Sequence, residues 1–120
     1  MELLAVPERG MAAHGSAGVG LRAAARVMTP QDGFAVDVVR LAAGGRLGRH
    51  PTALWQLLLV VEGAGWVTGT DAVRRPVAAG TAALWSPGEE HETGSAEGLL
   101  AVVVQCRERP LPGPGPEEAR

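Results

Sequence analysis

Apolar positions along the chain fall in short runs, over residues 21–28, 34–41, 54–62, 65–68, 81–85 and 99–105, each cut off by Gly, Pro or Asp. Runs of this length and spacing predict an all-β sandwich or barrel. No window of about twelve residues holds a glycine-free helical period, and although the alanines of 19–28 would allow a short helix, a strand is the preferred reading there. Turn chemistry agrees with strands. Glu62, Gly63, Ala64 and Gly65 stand between two runs bearing Val and Trp, and glycines there predict a hairpin, because they supply positive φ angles without steric cost. A second tight turn is expected over 68–71, ahead of a short strand at 73–77, and a third at Pro87 and Gly88. No internal repeat of fixed period is present, which argues against propellers and solenoids.

The flanks carry less pattern. Gly10, Gly15, Gly18 and Gly20, interspersed with alanines, make residues 1–20 a weakly ordered leader, and His14 within it is expected to be solvated. Residues 110–120 hold four prolines and two glycines, the composition of a disordered tail. That leaves 21–109 as one folded domain. Pro7, Glu8 and Arg9 interrupt the start before any apolar stretch develops, so no secretory signal is expected. The purely apolar run at 99–104 falls far short of the roughly 20 residues a membrane span needs. A soluble, cytoplasmic protein without membrane contact follows as the expectation.

Charge removes one class of partner. With 11 basic against 13 acidic residues and a net charge of −2, the chain has no basic surface with which to hold a phosphate backbone, so nucleic acid is not an expected partner. All the basic residues are Arg. The lone Cys106 cannot form an intramolecular disulfide and reads as an ordinary small strand residue.

Two spaced constellations carry the chemistry. The first is Gly44, five residues, His50, one residue, Thr52, three residues, Gln56, six residues, Gly63; the second is Gly80, seven residues, Gly88, two residues, His91. Positions 50, 52 and 56 share parity, so in an extended chain their side chains point to one side. In a closed barrel that side is the interior, where His91 could meet them from a distant strand across the lumen.

These windows resemble the cupin family, whose motifs read G-x5-H-x-H-x3or4-E-x6-G and G-x5-P-x-G-x2-H-x3-N. GGRLGRHPTALWQLLLVVEG keeps the spacing of the first, and GTAALWSPGEEHETGS keeps Gly80, Gly88 and His91 of the second. The resemblance implies a cupin-type double-stranded β-helix, that is, a jelly-roll barrel over 21–109. It also implies a metal site at His50, Thr52, Gln56 and His91. Thr52 is the weak member, because a neutral hydroxyl is a poor donor to first-row transition metals beside imidazole. Ser86 stands where the family has Pro, and Ser95 where it has Asn. With no carboxylate among the four positions, zinc, iron, nickel or copper fits better than Mg²⁺ or Ca²⁺, unless Glu89, Glu90 or Glu92 swings in. The run Glu89 to Glu92 reads most simply as a solvated loop.

Leu58 and Trp85 are candidate walls of a substrate pocket. Trp55, of opposite parity to Gln56, is expected outside the barrel. There, together with outward apolar residues of 54–61, it would leave a face suited to a homodimer contact. The resemblance implies a metal-dependent enzyme of oxygenase or isomerase type acting on a small organic substrate. The alternative is a non-catalytic small-molecule-binding barrel without tightly held metal, which Thr52 favours. No general base can be assigned from the sequence.

Overall fold

Eight strands, all paired antiparallel, account for the described chain. They are β1 Arg9–Gly10, β2 Ala17–Val27, β3 Phe34–Pro51, β4 Trp55–Thr68, β5 Arg75–Ala78, β6 Ala82–Trp85, β7 Glu90–Gly94 and β8 Leu99–Cys106. The computed structural model describes residues 1–27 and 33–111. Most of the tail assigned to 110–120 therefore lies outside the described residues, as does Met28.

Two long strands organise the barrel. The first half of β3 pairs with β2 and β8, and its second half pairs with β7. Likewise β4 pairs with β8 and β6 along its first half, then with β5 and β7. With β7 and β8 each hydrogen-bonded to both long strands, the ring β3–β8–β4–β7 closes. Closure leaves no free edge inside the ring.

The expected hairpin at Glu62 to Gly65 is instead a bend inside one continuous strand. The register slips by one residue between Val60 and Glu62, and Gly63 adopts φ of 80°. A Cβ at that glycine would lie 2.3 Å from the Gly98 carbonyl oxygen. The glycines here let a strand cross from one sheet to the next, a bulge in place of a turn. The turns after Thr68 and at Pro87 and Gly88 form as expected, the latter closed by a Glu89 N–H bond to the Ser86 carbonyl of 3.1 Å.

Two further segments differ from the sequence reading. Residues 17–20 belong to β2, and Ala13–Gly15 forms a single 3₁₀ turn, so part of the leader enters the fold. Glu90–Gly94 is a strand rather than a solvated loop, since alternate positions His91 and Thr93 are buried while Glu92 is only partly covered. Acidic residues masked a period-two pattern that has only five positions in which to show itself.

The core is filled by Val39 and Leu41 of β3, Leu58 and Val60 of β4, and Ala101 and Val103 of β8, with Val67, Val77 and Trp85 closing the sides. Leu58 and Val60 are 1% and 0% exposed. Such side chains supply most of the burial free energy, roughly 1.5–3 kcal/mol for each large one.

Candidate functional site

His50 and His91 are cross-strand partners on β3 and β7, so they meet as neighbours rather than across the lumen. Their Nε2 atoms lie 3.3 Å apart, with ring centroids separated by 4.5 Å. The His50 Nδ1 is 2.7 Å from the Gly48 carbonyl oxygen. A carbonyl only accepts, so Nδ1 carries the proton and donates it, leaving the Nε2 lone pair directed toward His91.

His91 is 2% exposed. Burial first, then the neighbouring His50, His14 and Arg49, hold its pKa down at about 4, so it is neutral at physiological pH. Its Nδ1 is one of two buried side-chain polar atoms without a hydrogen-bond partner among the described residues, the other being Thr93 Oγ1 on the same face of β7.

Gln56 is buried on β4, in one rung with Gln105 of β8 and Trp85 of β6. Gln105 is an inward-facing amide that the alternation of 99–105 could have revealed. Farther along that wall, the interior-facing Asp37 is buried and accepts a 3.0 Å bond from Arg26. Trp85 donates its Nε1–H to the Thr68 carbonyl at 2.9 Å and sets its ring 4.7 Å from that of His91. Leu58 lies deeper, one rung below Gln56.

Thr52 occupies a different role. β3 ends at Pro51, and the Thr52 hydroxyl donates to the Ser86 carbonyl at 2.9 Å. Its backbone bonds to Glu89 and Gly88 at 3.0 and 2.8 Å. The shared parity of 50, 52 and 56 is thus interrupted by a bend over residues 53–54. The glutamates are also committed elsewhere. Glu89 accepts from the Ser86 N–H, Glu90 pairs with Arg49 at 3.0 Å, and Glu92 has the opposite parity to His91.

Two residues that the spacing arguments passed over complete the surroundings. Arg49 ties β3 to β7 through Glu90 and to β4 through Thr68 Oγ1 at 3.2 Å. His14 stacks on His50 with ring centroids 4.1 Å apart and planes within 10° of parallel. Nothing in the motif spacing points to His14, which lies outside both windows.

No protein-family model matches the chain, and no curated protein matches it. Solved structures do. The polyketide cyclase RemF from Streptomyces resistomycificus superposes with a TM-score of 0.74 at 20% identity, over 92% of this chain and 82% of that one. A predicted oxalate decarboxylase from Thermotoga maritima gives 0.72 at 15% identity, over 86% and 94%. An RmlC-like cupin from Shewanella frigidimarina gives 0.69 at 15% identity, over 87% and 86%.

The chain has the cupin fold. Within that fold, the second window's departures become intelligible. Ser86 has the backbone N–H that proline lacks and donates it to the Glu89 carboxylate at 3.1 Å, and Ser95 donates its hydroxyl to the Ala64 carbonyl at 2.6 Å while accepting from Gly98 N–H at 2.8 Å. Both serines tie loops of the cupin barrel together. Among the described residues no helix is long and apolar enough to cross a membrane.

The donors can be tested against a metal. Two ligands at about 2.0–2.1 Å from a tetrahedral ion stand about 3.3 Å apart, the separation found between the two Nε2 atoms. The His50 Nδ1–H bond to a carbonyl is the outer contact that orients a ligating imidazole, whereas His91 lacks one. Two imidazoles suit a borderline transition metal; among the described residues no carboxylate or thiolate joins them, so they do not suit Mg²⁺ or Ca²⁺.

Proposed function

We propose that this cupin barrel binds a divalent transition-metal ion between His50 and His91, with Gln56 as a third donor, and receives a small organic molecule beside it. The observation that carries this reading is the 3.3 Å approach of two Nε2 atoms, one with its lone pair fixed inward by Gly48. A bound ion would supply Lewis acidity. The protein would contribute a neutral His91, an amide wall of Gln56 and Gln105, and the aromatic cover of Trp85. Neighbours named as a cyclase and a predicted decarboxylase support chemistry on small organic molecules as the enzyme class. Metal analysis of untagged protein, followed by calorimetric titration with zinc and nickel, tests the reading. Wild type should bind one ion per chain and His50→Ala none; a wild type that binds neither ion refutes it.

A second reading, a metal-free binding module, is favoured by the committed Thr52, Glu89 and Glu90. In that state His91 Nε2–H donates to His50 Nε2, and a small ligand binds with zinc and nickel absent.

We also propose that a second copy covers the outer face of the β3–β8–β4–β6 sheet. The register aligns Phe34, Cys106 and Trp55 in one rung, Val36, Val104, Leu57 and Leu84 in the next, and Val38, Val102, Leu59 and Ala82 in a third. Three rungs about 6.7 Å apart across strands about 4.8 Å apart span roughly 400 Å² of sheet face lined by half-buried apolar side chains, the size of the largest apolar patch on a typical monomer, which is often functional. At one end Arg40 and Glu62 flank Leu100, so a two-fold axis can set the arginine of one copy against the glutamate of the other.

A further inference from the structure

The exposed His14 is held at the site by more than its stack. The 3₁₀ turn that carries it presses its backbone onto Gly48, where a Cβ would fall 1.7 Å from the His14 carbonyl oxygen. Only glycine admits that approach. Two residues on, the Ser16 hydroxyl accepts a 2.9 Å bond from the Gly48 N–H, and Ser16 is buried. Gly48 is the residue whose carbonyl receives the His50 Nδ1–H. Thus the N-terminal turn grips His50 twice, through Gly48, the residue whose carbonyl fixes its proton, and through the face of its ring.

The backbone supports a specific purpose for this placement. His14 has φ of 60°, and only Ala72 among the other described non-glycine residues is also positive. Left-handed backbone at such a residue persists when surrounding contacts over-determine it. Here those contacts are the Gly48 approach, the Ser16 bond and the imidazole stack. Exposed histidine in a glycine-rich segment would otherwise be free to rotate into water. Instead, four rings run from solvent to core in the order His14, His50, His91 and Trp85.

We propose that His14 is a positioning residue of the site, whose stacked imidazole locks the plane and tautomer of His50 so that the Nε2 lone pair stays aimed at His91. The Nδ1–H bond to Gly48 fixes the tautomer only while the ring keeps its plane, because rotation about χ2 carries Nδ1 away from the carbonyl; the parallel stack holds that plane. The consequence is that the leader, outside both sequence windows, governs how well the pair captures an ion.

Long-range proton–nitrogen correlation on histidine-labelled protein tests this directly, alongside nickel titration of the same samples. The nickel arm rests on the metal reading above, whereas the tautomer arm does not. In wild type, His50 should appear as a single Nδ1–H tautomer with ring protons shifted upfield by the stack. His14→Ala should bring His50 toward a tautomer average and weaken nickel binding by about tenfold, the lower end of what loss of an orienting contact costs. His14→Phe, which keeps a flat ring but no nitrogen, should restore both. An unchanged His50 tautomer in His14→Ala overturns the proposal, and so does failure of His14→Phe to rescue. If His14→Ala shifts the tautomer while wild type binds no nickel, the positioning role stands and the metal reading falls.

Discussion

The two faces of the β3–β8–β4–β6 sheet invert the usual arrangement. The outward face presents Val36, Val38, Val102, Val104, Leu57 and Leu59, all only partly covered, whereas the inward face carries buried Asp37, Gln56 and, beyond it, His91 among its aliphatic residues. Polar groups placed inside cost free energy unless they find partners or a use, and apolar groups left outside gain nothing until something covers them. On the reading proposed above, one face serves a ligand and the other a second copy. Adjacent residues on one strand belong to these two worlds, which makes the contrast easy to test.

Leu58 and Leu59 form the sharpest pair. Leu58→Ala should lower stability by about 3 kcal/mol in urea unfolding, in the range for a fully buried leucine. Leu59→Ala should cost less than about 1 kcal/mol in the dissociated chain and act instead on association. Equal losses at low protein concentration would erase the distinction between the faces.

The inner face should also respond to acid. His91 is held near pKa 4 when folded and returns toward 6.5 when unfolded. Between those values the unfolded chain takes up a proton that the folded chain refuses, so stability falls as pH drops through 6.5 and levels off below about 4. The full loss in metal-free protein is on the order of 3 kcal/mol. His91→Gln should flatten that slope, as read by denaturant titrations at pH 7 and pH 4.5.

On the outer face, Val102→Asp places a charge at the centre of the three rungs. Light scattering should show wild type as a dimer at micromolar concentration and Val102→Asp as a monomer, with metal binding intact. A monomeric wild type would remove the outer half of the comparison. The smallest effect is expected at Thr52→Val, which keeps the shape but deletes the donor to Ser86. It should cost about 1 kcal/mol and leave nickel affinity unchanged. A tenfold weaker nickel complex would return Thr52 to the site.

Much of this arrangement is legible in the sequence. Short apolar runs between Gly, Pro and Asp locate most of the strands, and in the first halves of β3 and β4 and in β8 burial alternates with period two because one face lies against a filled core. The motif spacing singles out His50 and His91, which the fold sets side by side, whereas Gly44 and Gly63 mark bends near Ser95 and Gly98, well along β3 and β4 from that pair. What escapes is set by three-dimensional closure. Gly63 looks like a turn because local chemistry cannot distinguish a reversal from a bulge when both need positive φ. Thr52 shares parity with His50 only if the strand continues, and Pro51 ends it. His14 acquires a partner through Gly48 and Ser16, a contact between segments more than thirty residues apart that no periodicity encodes.

The position of β8 in the chain bears on how the barrel comes to exist. Leu99–Cys106 is the last of the described strands, yet it hydrogen-bonds to both β3 and β4. Until it arrives, each of those long strands presents an unpaired edge with apolar residues on both sides, a form prone to join another chain. Barrel closure must therefore wait for β8, and pairings such as Phe34 with Cys106 span 72 residues. Folding dominated by contacts of that separation belongs to the millisecond-to-second range. Synthesis from the ribosome would hold the half-built barrel open longer still, so yield in a cell should depend on how quickly β8 is delivered.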